Sequence, residues 1–333
     1  MALGVWYFIS QMDKPLGPSL KGNLTKLIVP GKPITGQKTT PGQLPGQNQT
    51  KQLPPLCGKT PVLTILAIGI DYEPGNYLYG LADVIRIVRI DFTTHKVSVL
   101  TIDRAIWVEI PGIFSHYGIT HGLLNQAYFY GVPAMGYYNG SGGGAGLLAE
   151  TLKQNFNLDV DNYVVVNMGT FVKFVDALGG IDIDLPQAVD GSPDLPSFNA
   201  GKQHVDGTKA LALARIREKY STLVRDRDQD IIIKGIFNKL SSPEIIAKIP
   251  ALLKAFTDAG LTDLSTRQIE SMVCLLTKMG GNDLTFREIP DKYYIYSWIY
   301  DQDTHRDVNI WKVDFDIFRS YISDFMKGQW PQQ

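Results

Sequence analysis

The chain has 333 residues, long enough for two ordinary domains or one large α/β domain with appendages. Its composition, 44% hydrophobic and 20% charged, supplies a sizeable core and excludes a wholly disordered or fibrous protein. Lys plus Arg number 32 against 33 Asp plus Glu, a formal charge of -1, so there is no global basic field for nucleic acid and any anion site is local.

Residues 1–10 open with the apolar run Ala2 to Ile9. As a helix it spans about half of the ~30 Å hydrocarbon core, and Trp6-Tyr7 resembles the interfacial end of a membrane helix. The run reads as the remnant of an N-terminal signal anchor, with an edge strand or a stub as the alternative. From Gln11 to Thr60 the chain holds eight Pro, seven Gly and seven Lys against one Asp. Too little apolar area is available there to offset ordering entropy, so 11–60 reads as a semi-extended linker, its lysines suited to anionic lipid. Cys57 and Cys274 are the two cysteines. They cannot build a Cys-rich metal site, but they could form one bridge in an oxidising compartment.

Val62 to Ile70 is a continuous apolar run ending at Asp71, as expected of a buried strand. Val84–Ile90 and Lys96–Ile102 flank the turn 91–95 and read as a hairpin. Gly140 to Gly146 precedes a helical stretch, Leu147 to Asn155; it reads as a flexible turn, with anion binding as the alternative. His116 and His121 lack a third metal ligand nearby. Tyr163–Asn167 is a strand, Phe171 to Leu178 a helix stopped by Gly179-Gly180, and Ile181–Leu185 another strand. The predicted fold class is α/β, a central mixed sheet flanked by helices. Beyond residue 240, Pro243–Ala259 and Ser265–Lys278 read as helices, and Leu284–Ile289 and Tyr293–Trp298 as strands.

Nucleophile-elbow, zinc-protease and Walker motifs are absent. The informative residues are cationic. Arg215 and Arg217 share one face if their segment is extended, and Arg225 and Gln229 stand one turn apart at the start of a helix. Guanidiniums gathered in this way suit phosphate oxygens; ordinary salt bridges to Glu218, Asp226 and Asp228 are the alternative.

Over residues 61–240 the chain resembles the LytR-CpsA-Psr family of bacterial cell-envelope proteins. The segments that carry the resemblance include Leu66-Ala67-Ile68-Gly69-Ile70-Asp71, Ala82-Asp83-Val84-Ile85, Thr101-Ile102-Asp103-Arg104, Leu124-Asn125-Gln126-Ala127-Tyr128, Val205-Asp206-Gly207-Thr208 and Arg215-Ile216-Arg217, in the family's order. The resemblance implies an extracytoplasmic phosphotransferase held to the cell membrane by a single N-terminal anchor. Such a protein moves a glycopolymer from a polyprenyl pyrophosphate carrier to peptidoglycan or another envelope acceptor, with the prenyl chain in an apolar groove. It further implies that Asp71 and Asp83 hold Mg²⁺, that Arg104, Arg215, Arg217, Arg225 and Gln229 grip the pyrophosphate, and that Asp83 and Arg104 are catalytic.

The chain departs from the family pattern at three places. Leu81-Ala82-Asp83 stands where Arg-Ser-Asp is usual, Asp103-Arg104-Ala105 where Pro-Arg-Asp is usual, and Asp228 where a second arginine is usual. These losses keep open an alternative, a polyprenyl-phosphate or pyrophosphate-binding protein with reduced or pyrophosphatase-only activity. A regulator acting on DNA would need a basic surface that the charge balance does not provide. Under the family reading, 61–240 is the catalytic core and 241–333 an α+β extension packed on it. An extracytoplasmic setting gives Cys57 and Cys274 a reason to pair; a free Cys57 thiol and a buried Cys274 are the alternative.

Overall fold

A computed structural model describes residues 12–20, 57–58, 60–72, 77, 79–216, 222–242, 244, 261–302 and 305–331. The expected anchor remnant at 1–10, Arg217, and all but one residue of the expected helix at 243–259 lie outside the described residues. No helix of the described residues is long and apolar enough to cross a membrane.

The apolar run after Pro61 forms β1 (Val62–Ile70), and the hairpin strands are β2 (Ala82–Asp91) and β3 (Lys96–Thr101). Short strands β4 (Trp107–Glu109) and β5 (His121–Leu123) precede helices α1 (Gln126–Gly131) and α2 (Gly143–Phe156). Then come β6 (Asn162–Asn167), α3 (Met168–Ala177), β7 (Ile181–Leu185), β8 (Gly201–Val205), α4 (Gly207–Arg215) and α5 (Thr222–Leu240). The C-terminal part holds β9 (Leu261–Thr262), α6 (Thr266–Leu276), β10 (Leu284–Arg287), β11 (Tyr294–Asp301), β12 (Arg306–Val313) and α7 (Phe315–Met326).

The central sheet has the order β10-β3-β2-β1-β6-β9. It is mixed: β1 runs antiparallel to β2 and parallel to β6, and β10 runs parallel to β3. Period-2 alternation divides β1 between the two faces. Leu66, Ile68 and Ile70 are buried in a core shared with α1, α2 and α7, each burial worth about 1.5–3 kcal/mol. Leu63 and Ile65 point the other way and pack with α6. Farther along that second face, Ala67 and Gly69 replace the large side chains. Space therefore opens between the sheet and helices α3, α4 and α5.

Several expectations are corrected. The strand at Ile181–Leu185 does not join the sheet; it pairs with β8 in a separate ribbon. Its alternate residues Ile181, Ile183 and Leu185 pack with α3, α4 and α5. Residues 241–333 do more than pack on a finished core, because β9 and β10 are the two outer strands of the sheet. Residues 12–20 are not free linker: Leu16 N donates to Leu264 O at 3.1 Å, and Tyr163 Oη donates to Pro18 O at 2.8 Å. The glycine run is no loose turn either. A Cβ at Gly144 would stand 2.7 Å from Tyr128 O, so this glycine lets α1 and α2 approach closely.

Cys57 and Cys274 are joined by a disulfide with Cα atoms 5.7 Å apart, fastening residue 57 to α6. With a sequence separation of 217, loop-closure entropy alone sets an upper contribution of about 5 kcal/mol, and removing a native bridge commonly costs about 2–5 kcal/mol. A C57S/C274S double variant should therefore unfold at lower denaturant than the oxidised parent. Equal midpoints in both proteins would show that the bridge contributes nothing to stability.

Candidate functional site

Asp71 follows the last residue of β1, Arg104 lies three residues beyond β3, and Asp83 sits near the start of β2, so the sheet gathers all three at one end. The placement of Asp83 depends on a β-bulge. Gly69 pairs with Val84 and Ile70 with Ala82, leaving Asp83 as the extra residue. Regular alternation would place Asp83 with Ile85 and Ile87 on the core face; the bulge re-aims it into the cavity on the opposite face.

Arg104 Nη1 donates to Asp83 Oδ1 at 2.5 Å. Asn125 Nδ2 donates to the same oxygen at 3.2 Å, and Arg225 Nη1 stands 4.0 Å from Asp83 Oδ2. The Asn125 backbone also links the two strands, its N–H donating to Arg104 O and its carbonyl accepting from Ala82 N. Asp71 is tied to the segment before β2, where its Oδ1 accepts from Leu81 N at 2.6 Å. Burial raises the Asp71 carboxyl above its ordinary value, and the neighbouring Asp83 charge adds to the rise against the Leu81 hydrogen bond.

Arg225 stands on α5 and is 4% exposed. Burial and then the nearby Arg104 charge depress its pKa, while Asp83, Asp226 and Asp103 oppose them. Its Nε and Nη2, and Nε of Arg104, are buried donors without a hydrogen-bond partner. Two guanidiniums grouped around Asp83 with unmet donors would suit an anion with several oxygens.

Gln229 is also buried and lines the cavity. Its amide is engaged within the protein: Oε1 accepts from Arg86 Nη2 at 3.0 Å and Nε2 donates to Ala214 O at 3.2 Å. Arg215 closes α4 as an exposed residue at the cavity lining, so the extended-segment reading of this arginine is corrected. Asp103, fully buried beyond the end of β3, accepts from Ala105 N at 2.6 Å.

Sequence reasoning missed Asn125 as a partner of Asp83, and it missed Arg86. The Arg86 guanidinium is 1% exposed and pairs with Asp230 at 3.0 Å and Asp226 at 3.4 Å. The signal was present: a cation inside Val84-Ile85-Arg86-Ile87-Val88 has to find a buried partner. His116 and His121 do not share a site, since His116 packs on Tyr137 and His121 stacks on Trp107.

Behind the charged mouth lies a cavity of about 640 Å³. Its floor is the second face of the sheet, with Ala67, Gly69, Val84 and Val166; its walls include Phe171 and Phe174 of α3, Leu211 of α4, and Ile232 and Ile236 of α5. An apolar slot closed at one end by cations and carboxylates fits an amphipathic ligand with an anionic head and a hydrocarbon tail. The two carboxylates at the mouth would also suit Mg²⁺, which binds through one or two carboxylates together with phosphate oxygens. No group of three or more His, Cys, Asp or Glu residues forms a protein-only metal cage among the described residues.

The model of the LytR_cpsA_psr family matches residues 36–313 of the chain, well beyond the 61–240 stretch that carried the resemblance. The polyisoprenyl-teichoic acid–peptidoglycan teichoic acid transferase TagU of Oceanobacillus iheyensis is 29% identical over 248 residues, covering 73% of this chain and 71% of TagU. The transferase of the same description, TagV of Bacillus subtilis, is 28% identical over 193 residues, 56% of this chain and 46% of TagV. The crystal structure of B. subtilis TagV superposes with a TM-score of 0.62 at 21% identity, covering 81% of this chain and 98% of that one, a likeness of fold.

Proposed function

From the premise that the chain belongs to the LytR-CpsA-Psr family, we propose that it transfers a glycopolymer from a polyprenyl pyrophosphate carrier to peptidoglycan or another envelope acceptor. One observation carries this reading: the unpartnered donors belong to Arg225, which lines an apolar cavity, and to Arg104, which is paired with Asp83 of that lining. The tail of the carrier occupies the slot between the sheet and α3 to α5. Its pyrophosphate meets Arg104 and Arg225, with Arg215 at the lining and Arg217 two residues on in sequence. Curated relatives described as teichoic acid transferases support the class of reaction.

An acceptor hydroxyl attacks the glycan-bearing phosphorus, and the bond to the bridging oxygen breaks. Polyprenyl phosphate leaves with the charge that develops on it. Arg104 and Arg225 stabilise that charge from a preorganised, largely desolvated position. Asp83, held by Arg104 and Asn125, keeps the Arg104 fork aimed at the site. Asp71 and Asp83 would hold Mg²⁺, which when bound neutralises phosphate charge. The proton of the attacking hydroxyl passes to solvent. The apolar run at 1–10, as the end of an N-terminal anchor, would tether the domain at the membrane on its extracytoplasmic side.

Mass spectrometry of lipid extracted from the purified protein should find polyprenyl phosphate or pyrophosphate. Asp71→Asn should weaken metal-dependent pyrophosphate binding, and a chelator should produce the same loss in the parent. Binding indifferent to both would leave the arginines as the whole site and remove the metal from the proposal.

A second reading, a carrier-binding protein of reduced turnover, rests on Ala105 and on Asp103. The family's carboxylate is missing at Ala105, and Asp103 does not replace it at the cavity, being wholly buried with an oxygen held by Ala105 N. Full lipid occupancy without release of labelled polyprenyl phosphate in a single-turnover assay would favour that reading.

A further inference from the structure

We infer that the β11–β12 hairpin carries a glycan-binding platform that seats the acceptor strand beside the phosphate site. Register places Tyr296, Trp298 and Tyr300 of β11 on one face, opposite Trp311, Asn309 and Asp307 of β12. Tyr296, Trp298 and Tyr300 are 55, 59 and 56% exposed. Three large aromatics left in water on one short strand exceed the scattered exposure expected of an ordinary surface.

The face is braced from within. Tyr294, at its inner end, is buried edge-on against Phe318 with ring centres 5.2 Å apart. Tyr296 meets both Trp298 and Trp311 edge-on, at 6.2 and 5.7 Å, and its Oη donates to Asn309 Oδ1 at 2.7 Å. At the turn end of the opposite face, Gln126 Nε2 donates to Asp301 Oδ2 at 3.0 Å and holds the hairpin to the body of the protein, while Ile295 near the other end of that face is 62% exposed. The aromatic side is the one that presents a row of large rings to solvent.

Its chemistry selects the occupant. The C–H face of a pyranose carries slightly positive hydrogens that meet the negative face of an aromatic ring. The hydroxyl rim seeks side chains such as Asn309 and Asp307. A membrane surface would call for cations toward anionic headgroups. The cations of the hairpin, Arg306 and Lys312, pair with Asp301 and Ile295 and so lie on the other face, while the aromatic face bears Asp307. Position agrees with this choice. Trp311 N donates to Ala105 O at 2.9 Å, which couples the platform to the residue following Arg104. The choice of the acceptor as the bound glycan rests on the transferase reading given above.

The test is calorimetric titration of the full chain with soluble, uncrosslinked peptidoglycan glycan strands, with polyprenyl pyrophosphate binding measured in parallel. Trp298→Ala and Tyr300→Thr should each weaken glycan binding by about tenfold, the upper end for one aromatic contact, and leave lipid binding unchanged. The threonine keeps strand propensity, so the hairpin can persist without the ring. Arg104→Ala should show the converse, weak lipid binding with normal glycan affinity. Glycan affinity unaltered by both aromatic substitutions would overturn the platform. So would vesicles of phosphatidylglycerol and phosphatidylcholine that bind the parent through Trp298 while glycan does not. A parent that binds glycan but no polyprenyl lipid would remove the transferase reading and leave the platform standing.

Discussion

Arg104→Ala should lower turnover by about 10²- to 10³-fold, the scale seen when one preorganised donor is removed from a developing oxyanion. Binding of polyprenyl pyrophosphate should weaken as well, by the 1.5–3 kcal/mol or so of a hydrogen bond to a charged group. The fold should persist, because the Arg104 side chain is partly exposed and Asn125 remains to hold Asp83. Arg104→Lys is the informative control. Lysine keeps the charge but loses the planar fork, so it should restore part of the binding and little of the turnover. A variant with unchanged lipid affinity and unchanged turnover would displace the phosphate site from this end of the sheet.

The largest loss of stability is expected at Arg86. Burial works against its charge, and Asp226 and Asp230 outweigh that penalty, so its pKa is raised. Arg86→Met would leave two buried carboxyls without their counter-ion, a change worth about 3–5 kcal/mol. The deficit should depend on pH. Burial pushes Asp226 up to about 7 and Asp230 to about 6 even with Arg86 opposing. Both folded values exceed the unfolded one, so the native state binds the extra protons. That contribution is whole below the unfolded value and disappears as pH rises through the folded one. Without Arg86 the folded values climb further, and the gap between variant and parent should widen above about pH 6 to 7. Denaturant melts of both proteins at pH 5 and pH 8 would measure it, and a gap of the same size at both would show that the pair does not control the difference.

The strands were legible because their signals are local. Val62 to Ile70 could be placed from its apolar run and the hairpin from β-branched residues around a polar turn, and Ser265–Lys278 read as the helix that α6 is. Partnership was not legible. Nothing local to Leu284–Arg287 states that it lies beside β3, or that Ile181–Leu185 leaves the sheet for β8. The Pro and Gly content of 11–60 concealed the few residues that cling to 261–265, since backbone pairing leaves little compositional trace. At the site, residue types were readable and their aim was not. The bulge that turns Asp83 arises from pairing between two strands, and the engagement of Gln229 by Arg86 arises from a helix crossing the sheet.

The disulfide has a mechanical consequence. β1 is an interior strand, bonded to β2 on one side and β6 on the other, and its first residue lies only a few positions after Cys57. Tension applied to the chain before Cys57 would, without the bridge, arrive at Val62 and tear at the middle of the sheet. With the bridge closed, the load leaves the main chain at residue 57 and enters α6 through Cys274. A load on the N-terminal segment meets the contacts of residues 12–20 with Leu264 and Tyr163 first, and whatever then reaches Cys57 is kept off β1 and the charged mouth at its far end.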